Sequence, residues 1–121
     1  MNSRDKGARG ERYVAKWLRD NFGCQARRGQ QYSGSPDTPD VIGGFAGTHP
    51  EVKFVEKLNI EKAIEQAVND CGDRIPYVFH KRNRHEPLIT VRAKDLLLFS
   101  RAVVLQDTIM KREKARNEGQ T

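Results

Sequence analysis

Apolar side chains recur along this chain at two periods, and the switches between them mark out its elements. Over residues 5 to 22, Val14, Trp17, Leu18 and Phe22 fall at helical spacing and predict an opening helix with one core-facing stripe. Residues 24 to 28 alternate small or apolar with polar and predict a short strand. The loop that follows, 29 to 38, is rich in turn formers and longer than a plain connection requires. Pro39 to Gly43 and Thr48 to Val55 are strand-forming runs on either side of Gly43-Gly44-Phe45-Ala46-Gly47, a pattern that predicts a hairpin. Ile60, Ala63, Ile64, Ala67, Val68 and Cys71 trace an amphipathic helix over 59 to 71, with Asn59 as its N-cap and Gly72 as its stop. Ile75 to Lys81 and Leu88 to Arg92 are rich in β formers and read as two strands.

The closing helix, 93 to 115, is apolar on more than one face. Leu98, Ala102, Leu105 and Ile109 form one seam, and Leu96, Phe99, Val103 and Met110 another. One seam packs on the sheet; the other either meets a second copy of the chain or tucks against the first helix. From Lys111 onward the sequence is charged and unpatterned and reads as a frayed tail, so 1–110 is expected to form a single domain. The order α, β, β, β, α, β, β, α predicts an α/β fold, a mixed β-sheet flanked by helices.

In the expected hairpin, Glu51 and Lys53 share a strand face while Val52 and Phe54 take the other. A turn centred on Phe45 and Ala46 sets Asp40 opposite Glu51, with Cβ atoms roughly 4.5 to 5.5 Å apart. Two carboxylates so placed suit one Mg2+, a hard cation with oxygen ligands at about 2.1 Å that keeps several waters. Such a metal polarises a phosphate oxygen and acidifies a bound water, while a neighbouring lysine orients that water and offsets developing charge. Glu51-Val52-Lys53 is the chain's only acidic-x-Lys triplet.

Helical geometry also places Glu11 within about 20° of Leu18 and Phe22, inside the apolar stripe. A carboxylate there either lies at a frayed helix start and pairs with Arg28, or joins the acidic site. Arg28, Gln31, Ser33 and Ser35 sit where the long loop nears Asp40, positioned to reach a nucleic-acid backbone unless the loop is surface only. Lys81, Arg82 and Arg84, in the turn between the last two strands, are either phosphate contacts or a solvated basic turn.

Charge supports a polyanionic partner: 22 Lys and Arg against 16 Asp and Glu give a formal +6 over 121 residues. Two cysteines are too few for a zinc tetrad or a disulfide framework. No apolar run is long enough to span a bilayer and no leader pattern opens the chain, so a cytosolic protein with no membrane partner is expected.

Pro39-Asp40 and Glu51-Val52-Lys53 together resemble the signature of the PD-(D/E)XK nuclease superfamily. With Gly7, Glu11, Arg28 and Ser33-Gly34-Ser35 added, the chain is similar to the archaeal-type Holliday junction resolvases and their phage relatives. The resemblance implies a restriction-endonuclease-like αβββαβ core, to which the closing helix is added. It implies a Mg2+ site made by Glu11, Asp40 and Glu51, a catalytic Lys53, an assisting Ser33, and a homodimer that cuts opposed strands of a four-way junction. It further implies a glutamine or lysine near the metal from the middle helix, which points to Gln66 or Lys62. Gln66 falls about 130° from the centre of that helix's stripe, on its flank.

The leading expectation is a Mg2+-dependent endonuclease, with Mn2+ substituting, that hydrolyses phosphodiester bonds of structured DNA. Asp40, Glu51 and the Val52 carbonyl would hold the metal, with Lys53 positioning the attacking water and no other cofactor needed. The compartment implied is the cytoplasm of a prokaryotic or phage-infected cell. Alternatives are a restriction-type or nicking repair enzyme of the same fold, and a basic nucleic-acid-binding module without catalysis.

Overall fold

The computed structural model describes residues 3–29 and 39–119, with side chains from residue 7 onward. Helix α1, Ser3–Phe22, buries Val14, Ala15 and Leu18 completely and half-buries Trp17 and Phe22, the stripe expected from the periodicity. Strand β1, Arg27–Arg28, follows, and then β2, Val41–Ile42. Strand β3 is Thr48–Lys53, helix α2 is Ile60–Asp70, and strands β4 and β5 are Ile75–His80 and Leu88–Val91. A single 3-10 turn, Ala93–Asp95, leads into helix α3, Leu96–Glu118.

β4 is the centre of a mixed sheet. It runs parallel to β3, with Glu51 opposite Val78 and Lys53 opposite His80, and antiparallel to β5. The parallel pair needs a crossover, which α2 supplies, capped by the Asn59 side chain accepting from the Lys62 N–H at 3.1 Å. Side chains alternate across β4, so Tyr77 and Phe79 join the α1 core while Val78 packs with Ala63 and Ala67 of α2. Glu51 pairs with Val78 and therefore lies on the α2 face, together with His49 and Lys53.

The hairpin does not form. β2 pairs antiparallel with β1, Arg27 opposite Ile42 and Arg28 opposite Val41, in a separate two-stranded sheet, and β3 takes β4 as its partner instead. Gly43 explains the choice: its φ is +79°, and a Cβ there would fall 2.3 Å from the Gln25 carbonyl oxygen. Only glycine lets β2 approach the chain entering β1 this closely. The hairpin's expected turn survives as a local bend in which Thr48 N–H and Oγ1 both donate to the Phe45 carbonyl.

α3 presses Phe99, Ala102 and Val103 against the aromatic side of the core, where Phe99 meets Tyr77 with ring centroids 5.0 Å apart. Gln106 Nε2 donates to the Phe22 carbonyl at 2.8 Å and ties the helix to the end of α1. The inner seam thus keeps Phe99 and Val103 and takes Ala102 from the other, while Leu96, expected with them, is exposed. Leu97, Leu98, Val104, Leu105 and Ile109 point outward, between 39% and 63% exposed. No break occurs at Lys111: the helix runs on to Glu118, where a frayed tail was expected.

Candidate active site

β3 has one free edge, and the site is built on it. The Gly47 and Lys53 carbonyls accept from Ile75 and Lys81 across β4, so odd-numbered residues turn their backbone groups toward β4 and even-numbered ones turn theirs outward. Pro50, which has no N–H to offer, sits at such an outward position. Val52 sits at the next, and its N–H donates to Asp40 Oδ2 at 3.0 Å. Its carbonyl opens on the same edge.

Asp40 is held there by the backbone on both sides. The Gly29 N–H donates to its carbonyl at 3.0 Å, extending the β1–β2 pairing, while the carboxylate grips β3. Asp40 therefore lies beside the strand that carries Glu51, near enough for its charge to act there, but through a side-chain bond to β3 and not as the cross-strand pair expected.

Glu51 has 7% of its side chain exposed, and Lys53 Nζ stands 3.4 Å from its Oε1. Burial, and then the nearby Asp40 charge, push its pKa up to about 7 against the partial relief that Lys53 supplies. Burial raises Asp40 as well; the Val52 N–H draws it back, Glu11 pushes it up, and Lys53 and His49 pull it down. Glu11 raises Asp40 and Asp40 raises Glu51, so three acids act on one another in sequence at a partly buried edge, a site short of positive charge.

Glu11 reaches this neighbourhood because α1 comes close to β3 at Gly10. A Cβ on Gly10 would stand 3.1 Å from the Phe54 ring and 3.2 Å from a Val52 methyl. Glu11 makes the pair with Arg28, its Oε2 accepting from Arg28 Nε at 2.8 Å, and its charge is felt at Asp40. A concavity of about 340 Å3 opens beside Glu11 and Lys53, with Gly10, Val52 and Phe54 in its wall.

Other expected residues divide. Gln66 is exposed on α2 and has no hydrogen-bonded partner among the described residues. Ser33, Gln31 and Ser35 lie outside the described residues. Lys81, Arg82 and Arg84 lie in the turn after β4, with Arg84 exposed at φ +62°. His49 was not foreseen. It is 2% exposed, its Nδ1 has no hydrogen-bond partner among the described residues, and burial followed by Arg74 lowers its pKa, although Asp70 and Asp40 oppose this. Stepping back by two from Glu51 along the same strand face would have found it.

Among the described residues, no three His, Cys, Asp or Glu side chains converge as a metal cage. The donors at the β3 edge are two carboxylates and a backbone carbonyl. All are hard oxygens, the set that suits a divalent cation keeping several of its waters.

No protein-family model matches the chain, and no curated protein does. Among solved structures it is similar to Hjc, a Holliday junction resolvase from the archaeal hyperthermophile Archaeoglobus fulgidus. The TM-score is 0.51 and the identity 27%, over 71% of this chain and 72% of that one. The α/β architecture, a mixed three-stranded sheet flanked by helices with a C-terminal helix, matches the fold of that nuclease. The resemblance to PD-(D/E)XK-type resolvases seen in the motifs is therefore present in the fold.

Proposed function

We propose that this chain is a metal-dependent endodeoxyribonuclease of the PD-(D/E)XK type, and specifically a Holliday junction resolvase that works as a homodimer. The observation that carries the reading is the Asp40 carboxylate bound to the Val52 N–H, beside a buried Glu51 with Lys53 at 3.4 Å. The likeness to Hjc supports a nuclease role and DNA as the partner.

Asp40, Glu51 and the Val52 carbonyl are the residues that would hold Mg2+, or Mn2+ in its place. When bound, the metal supplies Lewis acidity to a phosphate oxygen and a more acidic water. The chain's own groups do the rest. Asp40 is fixed by the Val52 N–H, so one donor is oriented in advance. Lys53, on the same face as Glu51, positions the attacking water and offsets charge developing on the phosphate. Glu11, kept in place by Arg28, adds negative charge near Asp40 and raises the site's affinity for a cation. Ser33 retains the assisting role that the resemblance implies.

A binding module without catalysis is the weaker reading, because adhesion to phosphates gives no reason to bury Glu51 next to Asp40. The test is cleavage of a four-way junction, compared with linear duplex, flap and single strand, with and without Mg2+. Asp40→Asn and Lys53→Ala are expected to lower the cleavage rate roughly a hundredfold or more while leaving DNA affinity within a few fold. Undiminished cleavage in either variant would refute the assignment, and preference for plain duplex would replace the resolvase by a restriction-type or nicking enzyme.

A further inference from the structure

Lys16, Arg28, Lys53, Arg92 and Lys111 each pair with a carboxylate. Arg9, Lys81 and Arg82 have no carboxylate partner among the described residues, yet all three line one cleft of about 290 Å3. Three cations and one carboxylate around a single concavity leave it net positive, and an anion relieves the repulsion among the cations.

Where the cleft lies says which anion. Gly10 and Phe54 line both this cleft and the concavity beside Glu11 and Lys53, so the two adjoin. The Lys81 N–H donates to the Lys53 carbonyl at 3.1 Å, which sets Lys81 one strand spacing, about 4.8 Å, from the strand that carries Lys53. A polynucleotide crossing the end of β3 would present its next phosphate there. Lys81 Nζ is held by two neutral groups, the Tyr13 ring at 5.8 Å and the Arg82 carbonyl at 3.2 Å, and neither cancels its charge.

The lining includes one carboxylate, Glu56, and it is already engaged. Its Oε2 accepts from the Asn83 N–H at 2.8 Å, a bond that draws the turn after β4 onto the chain leaving β3. The same turn is closed by the His85 N–H donating to the Arg82 carbonyl, with Arg84 between them in the left-handed region.

We propose that this cleft is a second phosphate site, which takes the phosphodiester next to the one cut on the same strand, with Arg9, Lys81 and Arg82 as its cations and Glu56 as the positioning residue that sets its loop. The proposal rests on the nuclease reading and specifies the path of the substrate strand across the ends of β3 and β4.

The experiment uses the full chain and a labelled four-way junction. Binding is measured with Ca2+ over a salt series, and cutting with Mg2+. Lys81→Ala/Arg82→Ala is expected to weaken binding about tenfold and to lower the salt slope by about two, with the rate at saturating DNA kept within a few fold. Glu56 gives a test of sign. On charge alone, Glu56→Ala removes an acid beside three cations and tightens binding. If Glu56 holds the loop, Glu56→Ala weakens binding instead, and Glu56→Gln, which keeps an acceptor for Asn83, restores it. Unfolding temperatures of all three variants show that each is folded. An unchanged salt slope, or tighter binding by Glu56→Ala, with the wild type still cutting, overturns the second site alone. Failure of the wild type to cut any DNA overturns the reading beneath it and the site together.

Discussion

At the scale of single residues, Glu51, a proposed metal ligand, is a carboxylate whose buried setting favours the proton over the charge. Folding takes Glu51 from an ordinary value of 4.5 to about 7, chiefly by burial and then by Asp40. Because the folded pKa lies above the unfolded one, the folded state binds the extra proton. The contribution of Glu51 to stability is therefore greatest below about pH 4.5, declines as pH rises toward 7, and levels off above that. At about 1.4 kcal/mol per unit, the decline is roughly 3 kcal/mol. Asp40 is shifted in the same direction and adds to it. In chelator, the unfolding temperature is expected to fall between pH 5 and pH 8, and Glu51→Gln, which carries no charge to bury, should flatten that fall. Added Mg2+ should stabilise the protein more at pH 8 than at pH 5.5, since the metal replaces the proton. Thermal scans at the two pH values check both statements; a metal effect independent of pH would show that Glu51 is not a ligand.

At the scale of elements, α1 and α2 were legible because a helix that buries one stripe must repeat it, and Val14, Leu18, Ala63 and Ala67 do. The strand pairing was less legible. β2 contributes only two ladder residues, and its partner β1 is distant in sequence, so local turn signals around Phe45 favoured a hairpin that does not form. Asp40 still comes beside β3, because its carboxylate accepts from the outward Val52 N–H, and its charge is felt at Glu51. What pattern could not reveal was the backbone approach at Gly43, nor the cap that Asp40 places on Val52. The glycine makes this testable. Gly43→Ala puts a Cβ 2.3 Å from the Gln25 carbonyl oxygen at a φ of +79°, whereas Gly47→Ala meets nothing within 4 Å at a φ of +72°. The second variant isolates the cost of the left-handed backbone, about 1 to 2 kcal/mol. The first should cost more in urea unfolding and also weaken Mg2+ binding by displacing Asp40. Equal losses in the two variants, with Mg2+ affinity intact, would mean that the β1–β2 pairing does not position the site.

At the scale of the whole molecule, the two faces of the sheet have separate tasks. Glu51 and Lys53 lie on the α2 face, while α3 packs against Tyr77 on the α1 face, so a partner on the outside of α3 leaves the acids free. That outer side carries Leu97, Leu98, Val104, Leu105 and Ile109, a surplus that a monomer gains nothing by exposing. It spans 13 residues, about 20 Å of helix. A two-fold antiparallel pairing of such stripes would cover less than the roughly 800 Å2 per partner typical of stable complexes, so the dimer should be a weak one, dissociating in the micromolar range. Leu97→Glu/Leu105→Glu is expected to make the chain monomeric in sedimentation at concentrations where the wild type is dimeric, with the unfolding temperature nearly unchanged because both side chains are already exposed. Cutting should then lose its pairing: single nicks should accumulate in a four-way junction, whereas the wild type is expected to cut opposed strands within one encounter. A charge variant that still sediments as a dimer would move the interface elsewhere, and a monomeric wild type that makes paired cuts would remove the need for one.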